Sequence, residues 1–217
     1  TNHQYMLFFT QKGKCFWMRV YEIPEGSKTS KGRAIQNLIN IEQDDKVKAF
    51  ICTQNLKDED YINAHYVIMA TKRGQVKKTS LEQYSRPRTN GINAITIKEG
   101  DELLEAKLTT GESQVMLALK SGKAIRFEEA KTRPMGRNAS GVRGITLSND
   151  NDEVIGMISV NDMENNILVV SENGFGKRSS LEDYRITNRG GKGVKTISIT
   201  EKTGDLVSIK NVCDEDD

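Results

Sequence analysis

The feature that most constrains this 217-residue chain is an internal repeat marked by apolar runs and paired glycines. Each of four segments opens on a short apolar run, at Tyr5–Phe9, Tyr66–Ala70, Val115–Leu119 and Ile167–Val170. A polar turn ending in glycine follows, at Gly13, Gly74, Gly122 and Gly174, as hairpin chemistry requires. Second strands are expected at Lys14–Val20, Gln75–Thr79, Lys123–Phe127 and Phe175–Ser179. After an irregular connection comes a second glycine, Gly32, Gly91, Gly141 or Gly193, lying 19, 17, 19 and 19 residues past the first. Third strands are expected at Ala34–Ile39, Ile92–Ile97, Val142–Leu147 and Val194–Ile199. An acidic turn then leads into fourth strands at Val47–Cys52, Leu103–Leu108, Val154–Val160 and Leu206–Val212.

First-glycine spacings are 61, 48 and 52, the long interval being filled by the polar insertion Gln54–His65. Units of about 50 residues with four short strands cannot bury both sheet faces without neighbours, which is the pattern of propeller blades. The expected fold is therefore all-β, a β-propeller or β-pinwheel, with blades at about 4–52, 65–108, 114–160 and 166–212 of one segment spanning 1–217. Without an initiator Met, and stopping just past a fourth strand, the chain is expected to hold four consecutive blades of a larger array.

Charge follows the same period. Residues 12–33, 72–98, 126–143 and 177–195 contain 24 of the 32 Lys and Arg but only 7 acids, so these windows carry +17 within a chain of net charge +2. Solvating charge would mix the two signs within each window. Arg19, Lys77, Lys78, Arg126, Lys177 and Arg178 fall on second strands, and Lys31, Arg33, Arg86, Arg88, Arg133, Arg137, Arg143, Arg189 and Lys192 on or beyond the connections after them. Blades stacked around an axis would align these positions into a belt that contacts the phosphates of duplex DNA without reading bases. Few aromatics interleave with the charges, which argues against a single-strand stacking platform. The most basic loop is Arg189-Gly190-Gly191-Lys192-Gly193, where Gly190, Gly191 and Gly193 free the backbone to aim two cations.

Enzymatic readings fail on spacing. A Walker loop needs glycine five residues before Gly-Lys and Ser or Thr after it, where Ile186 and Gly193 stand instead. Gly174-Phe-Gly176 continues into Lys177-Arg178-Ser179 rather than opening a helix, so it is no dinucleotide fingerprint. His3 and His65 are too few and too peripheral for a histidine-based nucleophile. The acidic turns lack the spaced ligands of a Ca²⁺ loop and read as solvated turns. Tyr84 and Tyr184 stand ten residues past the first glycine, where the first repeat has Ile23, and read as apolar anchors; Trp17 reads as packed. Cys15, Cys52 and Cys213 encode neither a disulfide framework nor a zinc site, and the two in apolar runs are expected to be buried thiols. With no run near the roughly 18 apolar residues of a membrane helix and no leader, a reducing cytoplasmic setting without membrane partners is expected.

Five stretches carry a family resemblance: Val20-Tyr-Glu-Ile-Pro24, Ile41-Glu-Gln-Asp-Asp45, Gly74-Gln-Val-Lys-Lys-Thr79, Met135-Gly-Arg-Asn-Ala-Ser-Gly-Val-Arg-Gly-Ile145 and Gly174-Phe-Gly-Lys-Arg178. Over essentially its whole length the chain resembles the C-terminal DNA-wrapping domain of bacterial DNA gyrase A, with the corresponding domain of topoisomerase IV as nearest relative. Thr187–Gly193 is similar to that family's Gln-Arg-Arg-Gly-Gly-Lys-Gly box, with Thr187 and Asn188 in place of its first two residues. In the family the full box lies in the first blade, whereas this loop falls in a later one. The resemblance implies a pinwheel of about six blades that wraps duplex DNA for an ATP-dependent type II topoisomerase introducing negative supercoils. It further implies a non-catalytic segment with no cofactor of its own, ATP and Mg²⁺ being bound elsewhere in the parent complex. Partners would be gyrase B and the N-terminal part of gyrase A, in the cytoplasm at the nucleoid. Residue chemistry alone leaves a second class open, a protein-binding propeller of the kelch type.

Overall fold

A computed structural model describes residues 2–216, so Thr1 and Asp217 lie outside it. In the first repeat, β1 (Gln4–Thr10) and β2 (Lys14–Arg19) form a hairpin, and β3 (Val47–Asn55) pairs with the other edge of β1. The insertion folds as helix α1 (Glu59–Ala64), capped by Asp58, whose carboxylate accepts from the backbone N–H groups of Asp60 and Tyr61. The second repeat supplies β4 (Tyr66–Thr71), β5 (Gln75–Ser80), β6 (Ile92–Asn93) and β7 (Leu103–Thr109). From the third come β8 (Gln114–Leu119), β9 (Lys123–Glu128), β10 (Val142–Arg143) and β11 (Val154–Val160). The fourth supplies β12 (Asn166–Ser171), β13 (Gly176–Ser180), β14 (Val194–Lys195) and β15 (Leu206–Val212).

The repeats do not close their own sheets. Sheet orders are β3-β1-β2-β6, β7-β4-β5-β10, β11-β8-β9-β14 and β15-β12-β13, so the third strand of each repeat pairs with the second strand of the repeat before it. The expected third strands are correspondingly cut to two residues, and Ala34–Ile39 in the first repeat contains a 3₁₀ turn at Ile35–Asn37 instead.

Both register glycines meet at these exchanges. The carbonyl of Gly13 accepts from the N–H groups of Ala94 (2.7 Å) and Ile95 (3.2 Å). Gly74 serves Gly144 and Ile145 in the same way, and Gly122 serves Thr196 and Ile197. A Cβ on Gly13, Gly74 or Gly122 would come within 2.3, 2.8 or 2.5 Å of the carbonyl oxygen of Ile95, Ile145 or Ile197, and all three have φ between +84° and +91°. Glycine is thus demanded by conformation and by the close approach of the next repeat. The extended runs end where they do because the chain must bend around that glycine.

Packing follows from period-2 alternation. Leu7, Phe9 and Ile51 of the first sheet face Val67, Met69 and Leu103 of the second in one buried cluster. Ile68, Ala70 and Val76 face the third sheet, and Met116, Ala118 and Ile158 the fourth. The other face of the first sheet, Phe8, Phe16 and Met18, is covered by Ile39 and Ile41. Cys15 is buried as expected, but Cys52 is exposed, because alternation along β3 turns Ala49, Ile51 and Thr53 inward and Cys52 outward. Ile23 is exposed as well, so only Tyr84 and Tyr184 are buried anchors; the Tyr84 hydroxyl donates to the Ala94 carbonyl and that of Tyr184 pairs with Thr196.

Two residues of the acidic turns, Asp45 and Asp152, are buried rather than solvated. Asp45 Oδ1 accepts from the Lys12 N–H (3.1 Å), Asp101 Oδ1 from that of Arg73 (2.9 Å) and Asp152 Oδ1 from that of Ser121 (3.1 Å), tying each hairpin to the entry of its fourth strand. In the fourth repeat the carboxylate has changed sides: Glu172 on the hairpin accepts from the Asp205 N–H (2.9 Å). Fourth strands β3, β7, β11 and β15 contact one another in succession, which puts the exchanged strands on the opposite, outer edge.

Candidate nucleic-acid interface

The outer rim consists of second strands, exchanged strands and the connections between them. Those connections run along the preceding blade: the Met135 N–H donates to the Lys78 carbonyl (2.7 Å) and the Thr187 N–H to that of Arg126 (2.9 Å). Arg133 and Arg137 thereby reach the rim beside the second repeat, and Arg189 and Lys192 the rim beside the third.

Three of the expected belt residues do not serve it. Lys77, Lys78 and Arg126 are 0 %, 5 % and 8 % exposed. Arg126 Nη1 donates to the carbonyls of Leu181 (2.9 Å) and Tyr184 (2.8 Å), and Lys78 Nζ donates to that of Glu129 (3.4 Å). Leu181 and Glu129 stand seven residues past the first glycine of their repeats, and Tyr184 ten past. In the first repeat the position of Lys78 and Arg126 is held by Trp17, whose Nε1 donates to the Tyr84 carbonyl (2.9 Å). A neutral indole in that place identifies the role as N–H donation to a turn of the next blade.

Lys77 lies one position earlier and fans its ammonium onto the carbonyls of Ala94 (2.5 Å), Arg137 (2.7 Å) and Gly136 (3.0 Å). Burial, with the neighbouring Arg137 charge, pushes its pKa down to about 7 against those three acceptors. Lys177 and Arg178 occupy the equivalent places in the fourth repeat but are exposed; Lys177 Nζ donates to the Thr196 carbonyl (3.4 Å), and Arg178 pairs with Asp214.

The remaining expected residues stand at the surface. Lys31, Arg33, Arg86, Arg88, Arg133, Arg143 and Lys192 are exposed, while Arg137 and Arg189 are half-buried. Arg19 is exposed and fixed by hydrogen bonds to the hydroxyls of Tyr5 (3.1 Å) and Tyr21 (2.7 Å). Arg86, Arg88 and Arg137, from two repeats, converge on one recess of about 190 Å³, with Glu82 at 3.8 Å from Arg86. Arg137 Nη1 donates to the Asn93 carbonyl (3.3 Å), and its repeat partner Arg189 donates to the Arg143 carbonyl (3.2 Å). Each loop arginine thus holds the exchanged strand of the preceding repeat while one face stays open to solvent.

The glycine-rich loop sits in the same joint. Gly190 N–H donates to the Gly144 carbonyl (2.6 Å), and the Gly191 carbonyl accepts from the Thr146 N–H (2.8 Å). Gly193, at φ +75°, lies so close to β9 that a Cβ would come 2.6 Å from the Ala124 carbonyl oxygen. Sequence reasoning passed over Lys14, Lys123 and Lys195, which occupy the outermost rungs of the exchanged ladders. Lys195 shares its offset from the second glycine with Arg143, so the repeat register contained the signal that finds it. Among the described residues no group of three or more His, Cys, Asp or Glu is placed to hold a metal ion, and no helix is long and apolar enough to cross a membrane.

Consecutive sheets interlocked by exchanged strands, with paired glycines at every exchange and cations along the outer edge, define a β-pinwheel. The family model described as DNA gyrase C-terminal domain, beta-propeller, matches residues 4–54, 65–110, 115–161 and 165–213. The chain belongs to that family. It is 42 % identical over 218 residues to the DNA gyrase A protein of Staphylococcus aureus (strain NCTC 8325 / PS 47), covering all of this chain and 24 % of that protein. It therefore spans about a quarter of the curated relatives it matches. Among solved structures, the C-terminal domain of DNA topoisomerase IV superposes with a TM-score of 0.86 at 24 % identity, over 98 % of this chain and 65 % of the other. A DNA gyrase A C-terminal domain superposes at 0.80 with 23 % identity, over 98 % and 67 %.

Proposed function

We propose that this segment binds duplex DNA along its outer rim without sequence preference, and that it bends and wraps the duplex as the non-catalytic part of a DNA gyrase that introduces negative supercoils. The observation that carries the reading is the recurrence of solvent-facing arginines and lysines on the outer edge of every blade, with Arg137 and Arg189 each fixed by the joint beneath it. Arg19, Lys31, Arg33, Arg86, Arg88, Arg133, Arg137, Arg143, Lys177, Arg178, Arg189 and Lys192 are the phosphate contacts. Lys77, Lys78 and Arg126 are struts of the scaffold on which those contacts stand. The segment carries no cofactor; ATP and Mg²⁺ act in other parts of the complex, whose partners are gyrase B and the N-terminal part of gyrase A, at the bacterial nucleoid.

Salt tests the reading. Neutralising about 6–10 phosphates gives a slope of log affinity against log salt of roughly −5 to −9, measured by anisotropy on a labelled duplex. Donor–acceptor labels at the duplex ends should approach each other on binding, since wrapping requires bending. A flat salt response would instead favour a protein-binding propeller with a largely apolar interface.

A further inference from the structure

The exchange between the third and fourth repeats contains a pairing that stability alone does not explain. Strand β14 is two residues long and meets β9 through Val194↔Ala124 and Lys195↔Lys123. Like charges directly opposite one another across a ladder repel and weaken it. The corresponding rung holds Lys14↔Asn93 in the first joint and Gln75↔Arg143 in the second, one cation each; only here is it doubled. Among the described residues neither ammonium has an ion-pair partner, and Lys195 is exposed at the outer edge. Two unpaired cations therefore flank the seam that attaches the fourth repeat to the third.

We infer that Lys123 and Lys195 form a phosphate clamp across this seam, so that duplex DNA seated on the rim tightens the strand exchange between the third and fourth repeats. This rests on the DNA-binding reading and extends it. A phosphate between the two ammonium groups replaces their repulsion with two attractions, and the groups belong to different strands, so the gain accrues only while β14 is docked on β9. Linkage makes the coupling reciprocal: DNA favours the closed joint, and the closed joint favours DNA. Without DNA, the joint should loosen as salt is lowered, because screening of the two lysines is lost.

Amide hydrogen exchange across residues 193–197 of the intact chain, with and without a duplex of about 40 bp, reads the coupling directly. Exchange there is expected to slow at least fivefold when DNA binds. The double substitution Lys123→Gln, Lys195→Gln should slow the DNA-free exchange, abolish most of the DNA-induced change and make the salt slope of binding shallower by about two. If the unsubstituted chain binds DNA while exchange at 193–197 stays the same, or if the double variant responds as the parent does, the clamp is overturned and the DNA reading stands. Absence of DNA binding by the unsubstituted chain overturns both.

Discussion

Arg126 Nη1 lies 2.8 Å from the carbonyl oxygen of Tyr184, and two repeats earlier Trp17 Nε1 lies 2.9 Å from that of Tyr84. The two donors occupy one place in the repeat, and so do the two acceptors. An arginine and a tryptophan are chemically interchangeable here only as N–H donors that span one blade and reach the next. The carbonyls they serve end a 3₁₀ turn next to a buried tyrosine, where water is excluded and an unpaired acceptor is costly.

Replacing Arg126 with Met leaves the Leu181 and Tyr184 carbonyls without this donor. The Leu181 carbonyl keeps the Tyr184 N–H (3.1 Å), so only that of Tyr184 is left unpaired. At about 1–3 kcal/mol for the unpaired carbonyl and about 1 kcal/mol for the second bond, a loss of roughly 2–4 kcal/mol is expected in urea unfolding. Trp17→Phe leaves the buried Tyr84 carbonyl unpaired but breaks no second bond, and should cost less, about 1–3 kcal/mol. The salt slope of DNA binding by the folded Arg126 variant should equal that of the parent. A slope shallower by one would return Arg126 to the belt.

Much of this arrangement was legible in the sequence. Blade number, hairpin positions and fourth strands follow from the spacing of Gly13, Gly74, Gly122 and Gly174 and the apolar runs around them. The exchange of third strands was not, because Gly91 and Gly141 keep a near-constant offset from the first glycine of their own repeat while touching the second strand of the repeat before. A one-dimensional period cannot say which copy a segment pairs with. The belt was read in part for a related reason: Lys77 and Arg126 look like their exposed neighbours until the next repeat's carbonyls are placed over them.

The hairpin glycines separate backbone strain from joint geometry. Gly122 and Gly174 have φ of +84° and +80°, but only at Gly122 does a neighbouring repeat press close: an added Cβ would lie 2.5 Å from the Ile197 carbonyl oxygen there, and would meet nothing within 4 Å at Gly174. Ala at either position carries the left-handed penalty of about 1–2 kcal/mol. Gly122→Ala must in addition displace the exchanged strand, so it should melt clearly below Gly174→Ala, with faster amide exchange at 194–197. Equal melting temperatures would remove the close approach as a determinant.

Asp152 supplies a pH signature. Burial pushes its pKa up, but the Ser148 N–H and the hydroxyl and N–H of Ser121 together outweigh that, and the carboxyl ends below its ordinary value. Because the folded-state value is lower than the unfolded one, the stabilisation is fully present above an ordinary Asp pKa of about 3.9 and is lost as pH falls through the folded value. Asp152→Asn should cost about 1.5–3 kcal/mol at neutral pH, the range for hydrogen bonds to a charged group. The gap between variant and parent should close progressively below pH 4 in denaturant titrations. A gap independent of pH would show that the ionised form is not what the site selects.

The glycine-rich loop allows phosphate binding and scaffold to be tested side by side. Lys192 is exposed and makes no ion pair among the described residues, while Arg189 adds one hydrogen bond at the surface, to the Arg143 carbonyl. Lys192→Ala should change stability by no more than about 0.5 kcal/mol, and Arg189→Ala by about 1 kcal/mol at most. Together they should lower affinity for every duplex sequence and make the salt slope shallower by about one for each phosphate no longer neutralised. Gly193→Val should do the reverse, because a β-branched side chain at φ +75° is strained and its Cβ would meet the Ala124 carbonyl at 2.6 Å. That variant should unfold at lower denaturant while its folded fraction keeps the parent salt slope. If the double alanine variant melts far earlier yet binds DNA as before, the loop is a structural clasp and the phosphate-binding groups lie elsewhere on the rim.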